Sequence, residues 1–442
     1  MRLSCCFALF VIGQFAVPAT AAEPAAFPLK DGDIWVMAGD SITAQHLHSN
    51  YFEAFCYARY PKLKFAFRNS GVGGHTIPTT LARFEYDIAA WKPTVVSVEL
   101  GMNDSGGTAT DKFVANMGTM VKRIRDINAR PVILTASPVN DGTTKARNTG
   151  RNIRLDEYAT ALKGFCEKES IPFADQFHAL HDGWGKNKLR ENVALLKPLA
   201  ADDSVAGVEH LRAFLAAQEK NPMKAVTLMG DPVHPGAPGQ LMMAAALLKD
   251  LGADGSVSTA IVDAQVEKNK AVGCVIMNWK AADGSLAFDR LDECVPFPIP
   301  DEARSVLAIA PDVFALSNYT LCVTNLKEGI YSLKIDGVVC AKLTANELAA
   351  GVNLTALPLD SPKSANPIAD QGRAILSAVA AKEALVGNWR ALSQRAHSPK
   401  ADPILKDDLA ALTPMVEEAD AKIREAAKPK KQHFELVPVN AK

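Results

Sequence analysis

Blocks of apolar and polar residues alternate along residues 34–252, and their periodicity switches repeatedly between strand-like and helix-like. Short apolar runs that end near Gly, Asn, Ser or Pro predict strands. These runs are residues 34–38, 65–67, 94–100, 132–134 and, more weakly, 171–174. Between them, apolar residues recur at helical spacing, as over 113–124 and 155–166. Strand and helix in repeated alternation predict a parallel sheet covered by helices on both faces, with any site at the carboxyl ends of its strands.

The pattern changes after about residue 252, which suits two domains in a chain of 442 residues. Residues 319–324 and 330–335 alternate and are joined by a short polar segment, so they predict a β-hairpin. Residues 365–426 predict helices, with a break at Pro399 and Pro403. The predicted organisation is a catalytic domain at 30–252 and a C-terminal accessory region at 255–442, with a hairpin-containing part at 255–350 and a helical part at 360–430.

Residues 1–22 have the features of a secretory signal peptide. Arg2 supplies a positive start, residues 3–17 are mainly apolar, and Ala19-Thr20-Ala21 fits the small-x-small cleavage rule. A membrane anchor needs about 20 apolar residues with flanking charges, and this segment is shorter. The sequence therefore predicts a secreted or periplasmic protein without stable membrane insertion after cleavage.

Cleavage would remove Cys5 and Cys6 and leave six cysteines. These are Cys56, Cys166, Cys274, Cys294, Cys322 and Cys340. They are candidates for disulfides in an oxidising compartment, with the pairing undetermined, and equally for small buried apolar residues. Their spacing lacks the close pairs of a zinc site, and we expect no metal.

The charge balance gives no sign of a polyanionic partner. Net charge is -1 and the basic residues are spread along the chain, except for Lys428, Lys430 and Lys431. This short run predicts a solvated tail rather than a nucleic-acid patch. We therefore expect no nucleic-acid partner, and the sequence leaves the oligomeric state open.

Two polar segments carry the parts of a nucleophilic site. Gly39-Asp40-Ser41 follows the first predicted strand, where a tight turn would expose the Ser41 hydroxyl. Asp231-Pro232-Val233-His234 precedes a predicted helix. A serine nucleophile needs a base, and a histidine base needs an acceptor for its other ring nitrogen. Each segment alone is also compatible with an ordinary loop.

Two further segments end other strands of the same sheet. Gly101-Met102-Asn103-Asp104 offers the Asn103 amide as a donor, and Gly73-Gly74 allows a backbone N–H to approach a ligand closely. Together the four segments supply a nucleophile, a base, its orienting group and oxyanion donors, which are the parts of acyl transfer. A phosphate-binding loop at 71–74 is disfavoured because no lysine follows it.

In these four segments, taken in order, the chain resembles the GDSL or SGNH hydrolases over roughly residues 34–250. The resemblance implies a three-layer α/β/α, flavodoxin-like fold and ester hydrolysis without a cofactor. It implies Ser41 as nucleophile, His234 as base and Asp231 as its orienting group. It also implies an oxyanion hole formed by the N–H groups of Ser41 and Gly74 and the side chain of Asn103.

Two features depart from the family pattern. Ile42 and Thr43 replace the usual leucine-containing continuation after the serine, and residues 182–228 form a longer insertion than in minimal members. The insertion is a candidate lid or wall of the site. Its charged residues are Lys186, Lys188, Arg190, Glu191, Asp202 and Asp203. Trp184 between two glycines would offer a flat face to a sugar, or pack internally.

The polar insertion favours short acyl groups, and the resemblance adds that many secreted members deacetylate polysaccharides. We therefore predict a short-chain carbohydrate esterase that acts on small-molecule or polysaccharide esters. A lipase or thioesterase with a long-acyl pocket is one alternative. A non-catalytic carbohydrate-binding surface protein is another, which the intact Ser41, His234 and Asn103 disfavour.

Overall fold

A computed structural model of the chain describes residues 27–139, 150–186, 208–220, 231–308, 310–357 and 366–439, and also residues 197, 200–203 and 205. The predicted signal peptide at 1–22 lies outside the described residues. Among the helices that the structure describes, none is long and apolar enough to cross a membrane.

The predicted parallel sheet is present. Its strands are β1 (Asp33–Gly39), β2 (Phe65–Gly71), β3 (Val95–Glu99), β4 (Arg130–Leu134) and β5 (Phe173–Ala174). They pair in parallel in the order β2-β1-β3-β4-β5. In β1, Trp35 and Met37 enter one apolar core, whereas Val36 and Ala38 enter the other. Both faces of the strand are buried, which explains its continuous apolar sequence.

Helices cover both faces of this sheet. They are α1 (Ser41–Ala44), α2 (His48–Arg59), α3 (Ile77–Ala82), α4 (Phe84–Asp87), α5 (Thr110–Asp126), α6 (Gly150–Glu169), α7 (Gln176–Lys186), α8 (Val208–Lys220) and α9 (Ala237–Asp250). One core contains side chains of α2 and α9, and the core on the opposite face contains those of α5 and α6. The three-layer α/β/α fold is therefore confirmed.

Two further sheets follow. Their strands are β6 (Ser256–Asp263), β7 (Asn269–Val272), β8 (Cys274–Ala282), β9 (Ser285–Asp292), β10 (Asn318–Thr324), β11 (Ile330–Ile335), β12 (Val338–Thr344), β13 (Val352–Asn353) and β14 (Gln432–Pro438). One sheet has the order β13-β10-β6-β7, and the other has the order β12-β11-β14-β9-β8. The sheets share one core, to which the first contributes Val262 and Leu321 and the second Phe288 and Phe434.

The predicted hairpin between residues 319–324 and 330–335 is wrong. β10 pairs with β6 and β13, whereas β11 pairs with β12 and β14 in the other sheet. Hairpins form instead at Asp283-Gly284 and Asp336-Gly337, where φ is 51° and 78° in the first pair and 49° and 79° in the second. Asp-Gly suits these positions because two-residue hairpin turns of this type need positive φ at both residues.

Two long helices then pack back against the parallel sheet β1–β5 of the predicted catalytic domain, which is called the catalytic sheet below. After α10 (Ala345–Ala350) come α11 (Pro367–Ala396) and α12 (Ile404–Ala426), which pack against each other. α11 also packs against α2, α4 and β2. Since β2 is an end strand of its sheet, this helix pair covers the sheet's free edge.

The segment after α12 is not the solvated tail that its lysines predict. Lys431 pairs with Asp289 (Nζ to Oδ2 2.9 Å), and the chain continues into β14, an interior strand between β11 and β9. The lysines precede a strand whose apolar alternation is short, so the local charge pattern does not reveal the strand.

All six cysteines outside the N-terminal segment lie within the described ranges, where each is a free thiol. Cys56, Cys166, Cys274 and Cys294 are buried, and Cys322 and Cys340 are half-buried. The structure thus favours the second interpretation of these residues, as small buried groups rather than disulfide partners.

Candidate active site

The turn that carries Ser41, here called the nucleophile turn after its predicted role, packs closely against the carboxyl end of the sheet. Asp40 caps the short helix α1 by accepting a hydrogen bond from the Ile42 N–H (2.9 Å), and Ser41 is the first residue of that helix. A Cβ on Gly39 would lie 2.0 Å from the Thr43 hydroxyl oxygen, and one on Gly71 would lie 2.4 Å from the Ala44 nitrogen. Only glycine fits at these two strand ends, so the glycines allow α1 to seat against the sheet.

The serine, histidine and aspartate predicted from sequence meet at this edge. His234 Nε2 lies 2.8 Å from Ser41 Oγ, and His234 Nδ1 lies 2.8 Å from Asp231 Oδ2. The second oxygen of Asp231 accepts hydrogen bonds from the backbone N–H groups of Val233 and His234, both at 2.7 Å. The Asp231 carboxylate therefore holds both the 231–234 loop and the His234 ring in place.

The Asp231 carboxyl is held in its charged form. Burial raises its pKa, but the hydrogen bonds from His234 and the Val233 N–H outweigh that effect and lower the pKa below its usual value. A carboxylate that accepts at Nδ1 leaves the lone pair of the neutral ring on Nε2, which faces Ser41. This arrangement suits proton transfer from the serine hydroxyl.

Asn103 and the glycine loop lie beside Ser41. Asn103 Nδ2 donates to the His75 carbonyl (3.0 Å) and makes a longer contact with Asp40 Oδ2 (3.3 Å). A Cβ on Gly73 would lie 3.9 Å from Ser41 Cβ, and Gly74 has a φ of 77° that favours glycine. The structure thus brings Asn103 and the 73–75 loop next to Ser41.

Three carboxyl groups buried under this edge were not identified as partners from sequence. Glu99 accepts a hydrogen bond from the Thr43 hydroxyl (2.8 Å), Asp40 holds Ile42 and Asn103, and Asp104 accepts from the Ile77 N–H (3.2 Å). Burial raises the pKa of Asp40 to about 6 and that of Glu99 well above its usual value. The sequence signal for Glu99 was that a charged residue stands within the β-branched, strand-like run at 94–100.

A buried arginine also escaped the sequence analysis. Arg83 donates to Ser70 Oγ (2.7 Å), to the Gly39 carbonyl (3.3 Å) and to His75 Nδ1 (3.2 Å), and it pairs with Asp87. Its contacts join the ends of β1 and β2 to the loop beside Ser41. The sequence carries no signal for this role, because a single arginine at the end of a short helix usually points into solvent.

Part of the 182–228 insertion packs next to the nucleophile turn. Leu211 and Leu215 of α8 share a buried cluster with Ile42 and Met102. On the outer side, Arg212 pairs with Asp203 at 2.5 Å. The side chain of Trp184, as well as Lys188, Arg190 and Glu191, lies outside the described residues. The described part of the insertion is thus an apolar support with a charged exterior.

Known proteins similar to this chain include one protein family and a curated relative. Residues 37–241 match the GDSL-like lipase/acylhydrolase family. Over 214 residues the chain is 23% identical to an acetylxylan esterase of Geobacillus stearothermophilus. The aligned region covers 46% of this chain and 79% of that protein.

Two solved structures are similar. A gut microbial diltiazem-metabolizing enzyme matches 95% of this chain and 100% of its own, with a TM-score of 0.70 and 22% identity. The acetylxylan esterase of Geobacillus stearothermophilus matches 50% of this chain and 95% of its own, with a TM-score of 0.37 and 22% identity. The first similarity is one of fold, and it extends beyond the catalytic sheet to the C-terminal sheets and helices.

Proposed function

Because residues 37–241 form a GDSL/SGNH hydrolase domain and the protein is accordingly an ester-bond hydrolase, we propose that Ser41, His234 and Asp231 are its catalytic residues. One observation carries the proposal: a single hydrogen-bonded line, with 2.8 Å at each step, runs from Asp231 through His234 to Ser41. Nucleophile, base and orienting group need this connection.

The reaction proceeds in two acyl transfers. His234 Nε2 takes the Ser41 proton as Oγ attacks the ester carbonyl, and the C–O bond to the alcohol breaks as His234 returns that proton to the leaving oxygen. Water then attacks the acyl carbon as His234 takes its proton, and the bond from that carbon to Ser41 Oγ breaks as His234 returns the proton to Oγ. The products are a carboxylic acid and free Ser41. Asp231 stays charged and stabilises the protonated ring.

The oxyanion of each tetrahedral intermediate needs donors beside Ser41. We assign this role to the N–H groups of Ser41 and Gly74 and to the side chain of Asn103. Of the two contacts of Asn103 Nδ2, the one with Asp40 is the longer at 3.3 Å. The Asn103 side chain has two N–H groups, and we assign to the oxyanion the one that contacts Asp40. The other is needed for the hydrogen bond to the His75 carbonyl, which holds the 73–75 loop.

We propose short acyl esters of carbohydrates, acetyl esters above all, as substrates. The relative of Geobacillus stearothermophilus is an acetylxylan esterase, which supports an acetyl group on a polysaccharide. The residues Asp203 and Arg212 give the described part of the insertion a charged exterior. A long-acyl enzyme would need an extended apolar groove, because chain burial contributes about 0.8 kcal/mol per methylene.

The substrate proposal is tested with 4-nitrophenyl acetate, butyrate and octanoate, followed by acetylated xylan fragments. We expect kcat/KM to fall as the chain lengthens and acetate to be released from xylan. Ser41→Ala is the control and should be inactive on every substrate. A preference for octanoate with no release from xylan would instead favour the lipase or thioesterase alternative. Binding to xylan without turnover would favour a carbohydrate-binding protein.

We also propose that the protein is secreted or periplasmic, on the strength of the signal-like segment at 1–22. Expression of the full chain in a Gram-negative host, followed by fractionation and N-terminal sequencing, tests this proposal. We expect mature protein that starts after Ala21 or Ala22 outside the cytoplasm. Full-length protein retained in the cytoplasm would refute it.

A further inference from the structure

The helix pair α11 and α12 donates hydrogen bonds to three carbonyls at the β2 edge of the catalytic sheet. Alternate carbonyls of β2 point away from β1, toward the helices. Arg424 Nη1 donates to the Phe65 carbonyl (3.1 Å), Lys382 Nζ to the Phe67 carbonyl (2.9 Å), and Arg390 Nη1 to the Gly71 carbonyl (3.1 Å). Three cationic side chains thus replace the strand that would otherwise pair there.

Arg390 differs from Lys382 and Arg424 because the carbonyl that it binds belongs to Gly71, the last residue of β2. The residues that follow Gly71 form the loop of Gly73 and Gly74, next to Ser41. Arg390 also donates two hydrogen bonds to Asp87, from Nε to Oδ1 at 2.5 Å and from Nη2 to Oδ2 at 2.8 Å. The Arg390 side chain is 15% exposed and that of Asp87 is 4% exposed. A bidentate pair of this kind is rigid and strong.

Asp87 connects Arg390 to the reacting groups through Arg83. Arg83 is buried and pairs with the same carboxylate. It reaches the Gly39 carbonyl, just before the nucleophile turn, and the ring of His75. Burial and the charge of Arg83 lower the pKa of His75, which keeps Nδ1 free to accept from Arg83. The His75 carbonyl in turn accepts from Asn103.

We propose that Arg390 is a positioning residue for the oxyanion loop at 72–75, so that the C-terminal helix pair completes the catalytic site. The inference rests on the proposed role of this loop in ester hydrolysis. Arg390 acts on both ends of the loop, directly through Gly71 and through Asp87 and Arg83 on His75. It touches no substrate, and its effect is on the alignment of donors with the developing oxyanion.

The chain offers a matched control. Arg424 makes the same kind of contact, a guanidinium from the helix pair to a β2 carbonyl, but at Phe65, the opposite end of the strand from the site. Loss of either arginine leaves one edge carbonyl without its cationic donor. A purely structural role predicts the same kinetic consequence for both, and a positioning role predicts an effect on turnover for Arg390 alone.

The experiment compares Arg390→Gln, Arg390→Lys and Arg424→Gln in the full chain, with 4-nitrophenyl acetate as substrate and thermal unfolding as a check on folding. For Arg390→Gln we expect kcat to fall on the order of 10- to 100-fold, since small misplacements of catalytic groups cost that much. KM should stay within about twofold, because ground-state contacts are unchanged. Arg390→Lys should recover part of the loss, and Arg424→Gln should keep the kcat of the native protein.

A double variant tests the route of the effect. Asn103→Ala removes an oxyanion donor and should lower kcat on the order of 10²–10³-fold. If Arg390 acts through the same loop, Arg390→Gln should cost less in this background than in the native one. Multiplication of the two effects would contradict the proposed route.

The proposal fails if folded Arg390→Gln retains native kcat, or if Arg424→Gln loses as much turnover as Arg390→Gln. Should Arg390→Gln not fold, Arg390→Lys decides by the same criteria, since it keeps the charge but cannot grip Asp87 with two nitrogens. The proposed function is judged separately, by the activity of the native protein and its loss in Ser41→Ala. Native activity that is abolished in Ser41→Ala but unaffected at Arg390 would refute only the positioning role.

Discussion

At the scale of single residues, the site has an outer hydrogen-bonded pair and an inner layer of buried carboxyl groups. Asp231 and His234 lie in an exposed loop where hydrogen bonds keep the carboxylate ionised. Beneath the nucleophile turn, Asp40 and Glu99 are buried, and burial raises the pKa of both. The charge of Asp231 thus lies on the side of His234 that faces away from Ser41, and the carboxyl groups beneath the turn bind protons more readily than exposed carboxyl groups do.

Glu99 makes the stability of the protein dependent on pH. Its pKa is raised in the folded chain, first by burial and then by the charge of Asp40. At pH above its ordinary value of 4.5, the unfolded chain releases this proton while the folded chain keeps it. The group's contribution to the free energy of unfolding is therefore complete at low pH and is lost as pH rises, at up to about 1.4 kcal/mol per pH unit.

We predict that Glu99→Gln removes this loss. Glutamine is neutral at every pH and still offers an oxygen to the Thr43 hydroxyl, which donates to Glu99 Oε2 at 2.8 Å. The stability of the variant relative to the native protein should rise as pH increases from 5 to 8, measured by urea unfolding. Parallel stability curves would mean that Glu99 is ionised in the folded protein.

Among the elements, the contact between the helix pair and the sheet edge depends on buried charge pairs. Arg68 of β2 binds Asp420 of α12 with two nitrogens, Nη1 to Oδ1 at 2.9 Å and Nη2 to Oδ2 at 2.7 Å. The guanidinium also lies 5.0 Å from the centre of the Trp91 ring, and this ring stacks on Trp389 of α11. Removing one member of such a pair leaves an unpaired charge in a closed interface.

Asp420→Ala should therefore lower the free energy of unfolding by about 3–5 kcal/mol, the usual cost of breaking a buried pair. The matched control is Asp126→Ala, which removes an exposed pair with Lys122 (2.8 Å) and should cost only about 0.3–0.5 kcal/mol. Chemical denaturation of both variants gives the comparison. Equal and small losses would show that the interface is open to water.

The elements also show which features a sequence can predict. The run at 94–100 predicts β3 because it is rich in β-branched residues and ends at glycine, and the apolar spacing of α5 is regular. The hairpins are predictable from the Asp-Gly pairs at 283–284 and 336–337, whereas the longer polar connection at 325–329 joins strands of different sheets. These turn signals were present in the sequence and were sufficient.

Ion pairs between residues far apart in the chain could not be predicted from the sequence, for a physical reason. Asp87 and Arg390 are 303 residues apart in the chain, and nothing in the spacing of either indicates the other. Lys382-Glu383 resembles a solvated helix surface, yet Lys382 is buried against Glu53. The four motifs were enough to indicate Ser41, Asn103, Asp231 and His234, whereas the residues that support them depend on tertiary packing.

At the scale of the whole molecule, the C-terminal region is tied to the catalytic sheet at several points. After β13 the chain covers the β2 edge with α11 and α12, and it then enters the other C-terminal sheet as β14. Val379 and Ile423 lie in the same apolar core as Trp35, and Trp389 lies in the core of Val36. The region beyond residue 252 therefore forms part of the packing of the catalytic sheet.

We predict that a chain ending at Gly252 does not reach a stable native state. It would expose the apolar surfaces that α11 and α12 cover, leave Arg68 and Glu53 without their charged partners, and leave Asp87 with Arg83 alone. Near-ultraviolet circular dichroism and urea unfolding should show no cooperative transition. Residues 253–442 supplied as a separate chain are the control and should restore structure. A soluble truncation with cooperative unfolding and native kcat would contradict this account.

The central claim, that Ser41 is the nucleophile activated by His234, is tested most directly by covalent labelling. The full-length protein is treated with an aryl phosphonate, digested, and analysed by mass spectrometry alongside Ser41→Ala and His234→Ala. We predict one phosphonylated residue, Ser41, with no adduct in Ser41→Ala and labelling slowed by orders of magnitude in His234→Ala. An adduct on another serine, or hydrolysis of 4-nitrophenyl acetate by Ser41→Ala at the native rate, would contradict the claim.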